Sequence, residues 1–323
     1  MQYRIKSFIV LIIASLMVAC GSDNKAVPTI AETQPVSYNL AEIVRDSAHL
    51  STLFAAVQAA GLDSALADES ATYTVFAPTN EAFAVLGEDT INTLLADTDT
   101  LTDILLYHVV ASEINSGAAV AAAGSTVETA NGKAIGVSVM AGSVYINNAK
   151  VTVVDVEANN GVLHVIDAVL MPPADPDPAT SALTIAEIAA SDANFSTLVT
   201  ALSAANLVDT LADETATFTV FAPTNDAFAA IPSDTLNAII ADTDTLTAIL
   251  LQHVIAGAGV DAVTAYSLNG QAAEMASGAM LDIALVDRQL TIGGATITVT
   301  DIYASNGIIH VIDAVIVGDV TLP

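Results

Sequence analysis

Five histidines are the first residues to weigh, because imidazole serves both acid–base catalysis and metal binding. Four of them recur as pairs, His108 with His253 and His164 with His310, while His49 has no counterpart. A zinc site takes three or four N, S or O ligands. The chain has one cysteine and no HxxxH spacing, so no such set is in view. His108 falls at the end of an expected helix near Leu106 and Val109, and His164 stands between Leu163 and Val165 on an expected strand. Both read as buried structural residues, and a buried imidazole needs a partner for at least one nitrogen. Thr79, Asn80 and Asp167 are candidates for that polar network with His108, as are Thr224, Asn225 and Asp313 with His253.

The next cluster is acidic. Ala96-Asp97-Thr98-Asp99-Thr100 recurs as Ala241-Asp242-Thr243-Asp244-Thr245. Calcium wants six to eight oxygens, and these loops lack the glycine and the distal glutamate of an EF-hand. Asp and Thr ahead of a helix are better read as caps that also favour its N-terminal dipole. No G-x-S-x-G motif and no glycine-rich loop with a lysine occurs, so serine hydrolysis and phosphate binding lack support. The expectation is a protein without catalytic residues, cofactor or metal. Tyr145, Tyr266 and Tyr303 remain as aromatic surfaces for a sugar, in a chain without tryptophan.

Elements must hold these residues in place. Leu40, Ile43 and Val44 make a short apolar face behind a possible Asn39 cap, and Leu50, Leu53, Phe54 and Val57 continue it. Gly61 is placed to end that helix. Residues 72–76 alternate as a strand, Pro78 stops it, and Thr79 or Asn80 caps a helix carrying Phe83 and Leu86. Ile91, Leu94 and Leu95 form a further helical face, and Ile104, Leu105 and His108 another. After Val110 the period becomes two, with strands expected over 134–139, 144–147, 150–156 and 162–170. This order predicts an α+β fold, a helical half packed on a mainly antiparallel sheet.

The whole plan occurs twice. Thr74-Val75-Phe76-Ala77-Pro78-Thr79-Asn80 returns as Thr219 to Asn225, and Leu105-Leu106-Tyr107-His108-Val109 as Leu250-Leu251-Gln252-His253-Val254. Asn160 to Val169 returns as Asn306 to Val315, one residue out of step with the earlier blocks. A repeat this long is a duplicated domain, since solenoid units run to roughly 20–50 residues. The expected domains cover 37–171 and 182–318. Between them, residues 172–181 carry four prolines and two acids, which predicts a semi-stiff spacer holding two separate beads.

Residues 1–20 read as an export signal, with Arg4 and Lys6 ahead of an apolar run from Phe8 to Ala19. The run ends at Cys20, the single cysteine, in a setting that resembles the lipobox of bacterial lipoproteins, and residues 21–36 follow as a polar tether. Gly21 after the cysteine resembles lipoproteins sent to the outer membrane. Acidic residues outnumber basic ones by 36 to 7, a net charge of −29, which argues against nucleic acid and anionic lipid as partners. Membrane attachment is expected through the lipid anchor alone.

At the repeated blocks the chain resembles the fasciclin domain family. Thr74 to Asn80 with Phe83 is similar to that family's first signature, Tyr107-His108 to its central pair, and Asn160 to Asp167 to its closing signature. The resemblance implies a compact sheet-and-helix fold, no enzymatic activity, no cofactor, and a role in adhesion or matrix interaction. It also marks Tyr107 and His108 as a candidate interaction site, but Gln252 replaces the tyrosine in the second copy, which favours the alternative that the pair is structural. The expected protein is thus a lipid-anchored cell-envelope protein adhering to a surface, matrix or neighbouring cell. The alternative is a periplasmic or surface module that binds polysaccharide or a small ligand.

Overall fold

The computed structural model describes residues 38–318. The expected export signal, Cys20 and the whole tether lie outside the described residues. Ser37, the expected first residue beyond the tether, does too.

Domain 1 opens with its helices: α1 (Leu40–Asp46), α2 (Ser51–Ala59) and the short α3 (Asp63–Leu66). Strand β1 (Tyr73–Pro78) follows, then α4 (Asn80–Ala84), α5 (Glu88–Ala96) and α6 (Thr98–Tyr107). Strand β2 (Val109–Val110) and α7 (Ser116–Ala121) lead into β3 (Ser125–Glu128), β4 (Ala134–Met140), β5 (Ser143–Ile146), β6 (Ala149–Ala158) and β7 (Gly161–Ile166). Domain 2 repeats this after a one-turn α8 (Pro178–Ser181). Its helices are α9 (Ile185–Ser191), α10 (Ser196–Ala204) and α11 (Val208–Leu211), then β8 (Phe218–Pro223). Next come α12 (Asn225–Ala229), α13 (Ser233–Ala241), α14 (Thr243–Leu251), β9 (Val254–Ala256) and α15 (Ala262–Ser267). The closing strands are β10 (Gln271–Glu274), β11 (Met280–Val286), β12 (Gln289–Ile292), β13 (Ala295–Ala304) and β14 (Gly307–Ile312).

The caps explain where the helices start. Asn39 accepts from the Glu42 amide while Glu42 bonds back to Asn39, a reciprocal cap that α9 copies with Thr184 and Glu187. Thr79 caps α4 and Thr224 caps α12. Asp97 and Asp242 cap α6 and α14, each also taking a bond from the hydroxyl of Thr100 or Thr245. The first aspartate of each pair is therefore a cap, and Asp99 and Asp244 lie in the first turn of the helix.

Each sheet has seven strands, ordered β2-β1-β7-β6-β5-β4-β3 and, equivalently, β9-β8-β14-β13-β12-β11-β10. All neighbouring pairs are antiparallel except β1 with β7 and β8 with β14. The parallel pair joins the first and last signatures, so the two blocks farthest apart in each repeat lie side by side. Its close start depends on glycine: a Cβ on Gly161 would lie 1.8 Å from the Tyr73 carbonyl oxygen, and one on Gly307 lies 1.9 Å from that of Phe218. One apolar cluster fills the space between helices and sheet in each domain, around Leu53, Phe83 and Leu163 and around Leu198, Phe228 and Ile309. A second fills the far side, around Tyr107 and Ile146 and around Ile292 and Ile312.

Two expectations need correction, and three elements were not foreseen. The last strand ends at Ile166, not Leu170. Strands β2 and β3 and helix α7 lie in stretches with no clear period. The domains are not separate beads either. Strand β4 packs on α15 so closely that a Cβ on Gly136 would lie 2.4 Å from the Val263 carbonyl oxygen. Buried Ser138 accepts from the Asn269 side chain at 3.4 Å, and Arg288 pairs with Asp167 at 3.2 Å. The proline-rich segment folds back, with Lys133 reaching the Pro173 carbonyl at 2.6 Å and Asp175 at 3.0 Å. Proline sets local stiffness, but the Lys133 contacts decide where that stiff piece lies.

Candidate functional site

His108 sits just past the end of α6 and is fully enclosed. Its Nδ1 donates to the Ile104 carbonyl at 2.7 Å and its Nε2 accepts from the Leu170 amide at 2.9 Å. His253 makes the same two bonds, to Ile249 at 2.8 Å and from Ile316 at 2.9 Å. This pattern assigns the neutral ring with its proton on Nδ1. Burial outweighs the carbonyl bond and lowers the pKa of each to about 4. Each ring clamps the end of a helix to the strand-exit segment beyond the sheet, and neither has a nitrogen left for substrate or metal.

The second histidine pair is equally engaged. His164 Nε2 donates to the Ile114 carbonyl at 2.7 Å, and Nδ1 accepts from the Asp155 amide at 3.2 Å. His310 does so with Val260 at 2.8 Å and Asp301 at 3.3 Å. They stack on Phe76 and Phe221. Asp155 and Asp301 hold positive φ at bulges in β6 and β13, and their side chains receive the amides of Ser116 and Ala262. Burial raises the pKa of Asp301 and lowers that of His310.

The expected polar network does not form around His108. Asn80 instead accepts from the Thr52 amide at 2.9 Å and donates to the Ala48 carbonyl at 3.0 Å, tying α4 to α2. Asn225 repeats this with Thr197 and Ala193. Thr79 and Thr224 cap helices, while Asp167 and Asp313 accept from the amides of Lys150 and Thr296 at 2.8 Å. Each of these residues is engaged by other groups, and both nitrogens of His108 and of His253 are bonded to backbone.

Tyr107 departs from the candidate interaction role and takes the structural one. It is fully buried, so it does not present an interaction surface. Its hydroxyl donates to the Ala134 carbonyl at 2.7 Å and accepts from Asn147 at 2.9 Å, while Asn147 accepts from the Gly136 amide at 2.7 Å. Burial raises the tyrosine pKa. In domain 2, Gln252 stands in its place and Gly293 in that of Asn147. Gln252 donates to the Val317 carbonyl at 3.0 Å and leaves its buried Oε1 without a protein partner among the described residues. The Tyr107–Asn147 pair thus braces β4, the strand that meets domain 2. Tyr145 and Tyr266 pack against the second domain's far-side cluster, where they form no open sugar platform.

Sequence reasoning passed over Asn160 and Thr74, although both are repeated. Asn160 accepts from the Leu40 amide at 2.9 Å and donates to the Leu66 and Asp68 carbonyls; Asn306 does the same for Ile185, Leu211 and Asp213. Thr74 and Thr219 each donate to one loop carbonyl and accept one loop amide. Their recurrence was the available signal. Gly136, Ser138 and Asn269 carried no such signal, because each side of the junction uses residues specific to its own copy.

Comparisons with known proteins place both repeats in one family. The fasciclin domain matches residues 48–172 and 193–318. The rabbit (Oryctolagus cuniculus) transforming growth factor-beta-induced protein ig-h3 is 32% identical over 255 residues, 76% of this chain and 35% of its own length. Protein sll1483 of Synechocystis is 45% identical over 154 residues, 47% of this chain and 83% of its own. The chain therefore spans about a third of the vertebrate relative. Among solved structures, a FAS1 domain pair from the insect cell adhesion molecule fasciclin I covers 84% of this chain and 99% of that one at 21% identity, with a TM-score of 0.39.

Proposed function

Since the chain belongs to the fasciclin domain family through both of its domains, we propose that it is a lipid-anchored cell-envelope protein adhering to a surface, matrix or neighbouring cell. Proteins of this family are adhesion-related. The observation that carries the reading is the tandem family match downstream of an apolar run ending in the single cysteine, Cys20. Acylation there anchors the chain to the outer membrane, on its periplasmic or external face, and stable anchoring takes two lipid chains. The contact surface is then the exposed exterior of the paired domains, not the buried Tyr107-His108 step.

Attachment of a strain deleted for the gene, compared across several surfaces with a complemented strain and with one carrying Cys20→Ala, tests the proposal. Deletion lowers attachment, and Cys20→Ala abolishes lipid labelling. Unaltered attachment of the deletion strain on every surface contradicts adhesion, and labelling that survives Cys20→Ala contradicts the anchor.

A further inference from the structure

An open cavity of about 160 Å³ lies in domain 1 between α2, α3, β1 and the end of α6. Leu53, Val57, Leu66, Val75, Leu105 and Val109 supply most of its wall, with Ala65 and Tyr73 at the rim. Two lining side chains carry polar atoms. His108 has both nitrogens bonded to backbone, so the Tyr73 hydroxyl is the polar group left for a ligand.

Domain 2 serves as an internal control. The lining differs there at three positions only: Leu202 replaces Val57, Thr210 replaces Ala65 and Phe218 replaces Tyr73. The first two add bulk. The third removes the one free polar group of the lining. Phe218 is buried where Tyr73 is half-buried, and Leu211 and Val254 are buried where Leu66 and Val109 stay partly open. Equivalent backbones thus close over this region in one domain and leave it open in the other.

We infer that the domain 1 cavity binds a free, small, uncharged amphiphile, whose hydrocarbon part fills the cavity and whose single neutral hydroxyl or carbonyl meets Tyr73. The size follows from volume, since an apolar cavity of roughly 150 Å³ accommodates a benzene-sized molecule, or about six carbons of an alkyl chain. Neutrality follows from the lining, which offers no charge, and from the net charge of −29, which disfavours an anionic head. The inference does not rest on the adhesive reading.

Titrating the full chain with 1-hexanol, followed by leucine and valine methyl NMR, tests it. The methyls of Val57, Leu66 and Val109 shift saturably, while those of Leu202, Leu211 and Val254 do not. Val57→Leu/Ala65→Thr/Tyr73→Phe, which installs the second domain's side chains, weakens binding at least tenfold. The reverse set, Leu202→Val/Thr210→Ala/Phe218→Tyr, creates a second site and serves as an independent arm should the first variant fold poorly. Tyr73→Phe alone weakens 1-hexanol and leaves benzene binding unchanged. Absence of saturable domain 1 shifts, or equal binding by both domains, overturns the inference. Shifts produced by neutral phosphatidylcholine vesicles but not by 1-hexanol overturn it in favour of a bilayer chain.

Discussion

Domains 1 and 2 keep the same bonds where the repeat is strict and diverge where it lapses. The histidine clamp, the Asn80 and Asn225 ties and the Asn160 and Asn306 staples are bond-for-bond equivalents. Tyr107–Asn147 against Gln252–Gly293 is not. The comparison teaches that the signatures identifying the family are the scaffold. What is particular to this protein lies in the unmatched positions: the junction at β4 and the open side of domain 1.

Equal scaffold roles predict equal and large losses. His108→Ala and His253→Ala each remove a buried ring and leave a backbone amide unpaired, at roughly 3 to 5 kcal/mol apiece. Thermal or denaturant melts check this; a loss in only one domain breaks the equivalence.

The same rings set the acid response. Their folded pKa of about 4 lies below the ordinary 6.5, so the native state resists protonation more than the unfolded chain does. Their contribution is fully present above pH 6.5 and is lost as pH falls toward 4, by about 3 kcal/mol for each ring. Stability measured across pH 7 to 4 in wild type and in His108→Ala/His253→Ala separates this from the relief of carboxylate repulsion. A drop of equal size in both contradicts the assignment.

Tyr107 predicts an asymmetry. Tyr107→Phe leaves the Ala134 carbonyl and an Asn147 N–H without their partner and costs roughly 1 to 3 kcal/mol. Gln252→Leu is close to neutral, because it trades one lost bond for removal of an unpaired buried oxygen. Similar losses at both positions would dissolve the contrast. The smallest effect belongs to the half-exposed Arg288–Asp167 pair across the junction: Arg288→Ala costs under about 1 kcal/mol, and less at high salt. A double-mutant cycle with Asp167→Ala measures it.

Much of the scaffold was legible in the sequence, and the reasons are specific. Asn39, Thr79 and Asp97 announced their caps through local chemistry. Strands β4 to β7 showed their period, and Ala141-Gly142 between β4 and β5 adopts the positive φ of a tight hairpin, as Asp287-Arg288 does between β11 and β12. Strand β2 has two residues and β3 is largely exposed, so neither carries an apolar alternation to read. The site was less legible. Repetition marked His108 as important without saying that its partners are backbone groups, and backbone partners leave no trace in residue types. Tyr107 looked like a recognition residue because tyrosine suits surfaces and cores equally well, and only its burial separates the two. The junction was hidden because Gly136 meets a carbonyl from a domain more than a hundred residues away.

The claim that the two domains form one docked pair is tested most directly by small-angle X-ray scattering of residues 38–318, comparing wild type with Gly136→Val. A side chain at 136 cannot share space with the Val263 carbonyl, while the separate cores of both domains are left intact. The account predicts a compact wild-type profile and a larger radius of gyration in the variant, with unchanged far-ultraviolet circular dichroism. Indistinguishable profiles that both correspond to separated domains would contradict it.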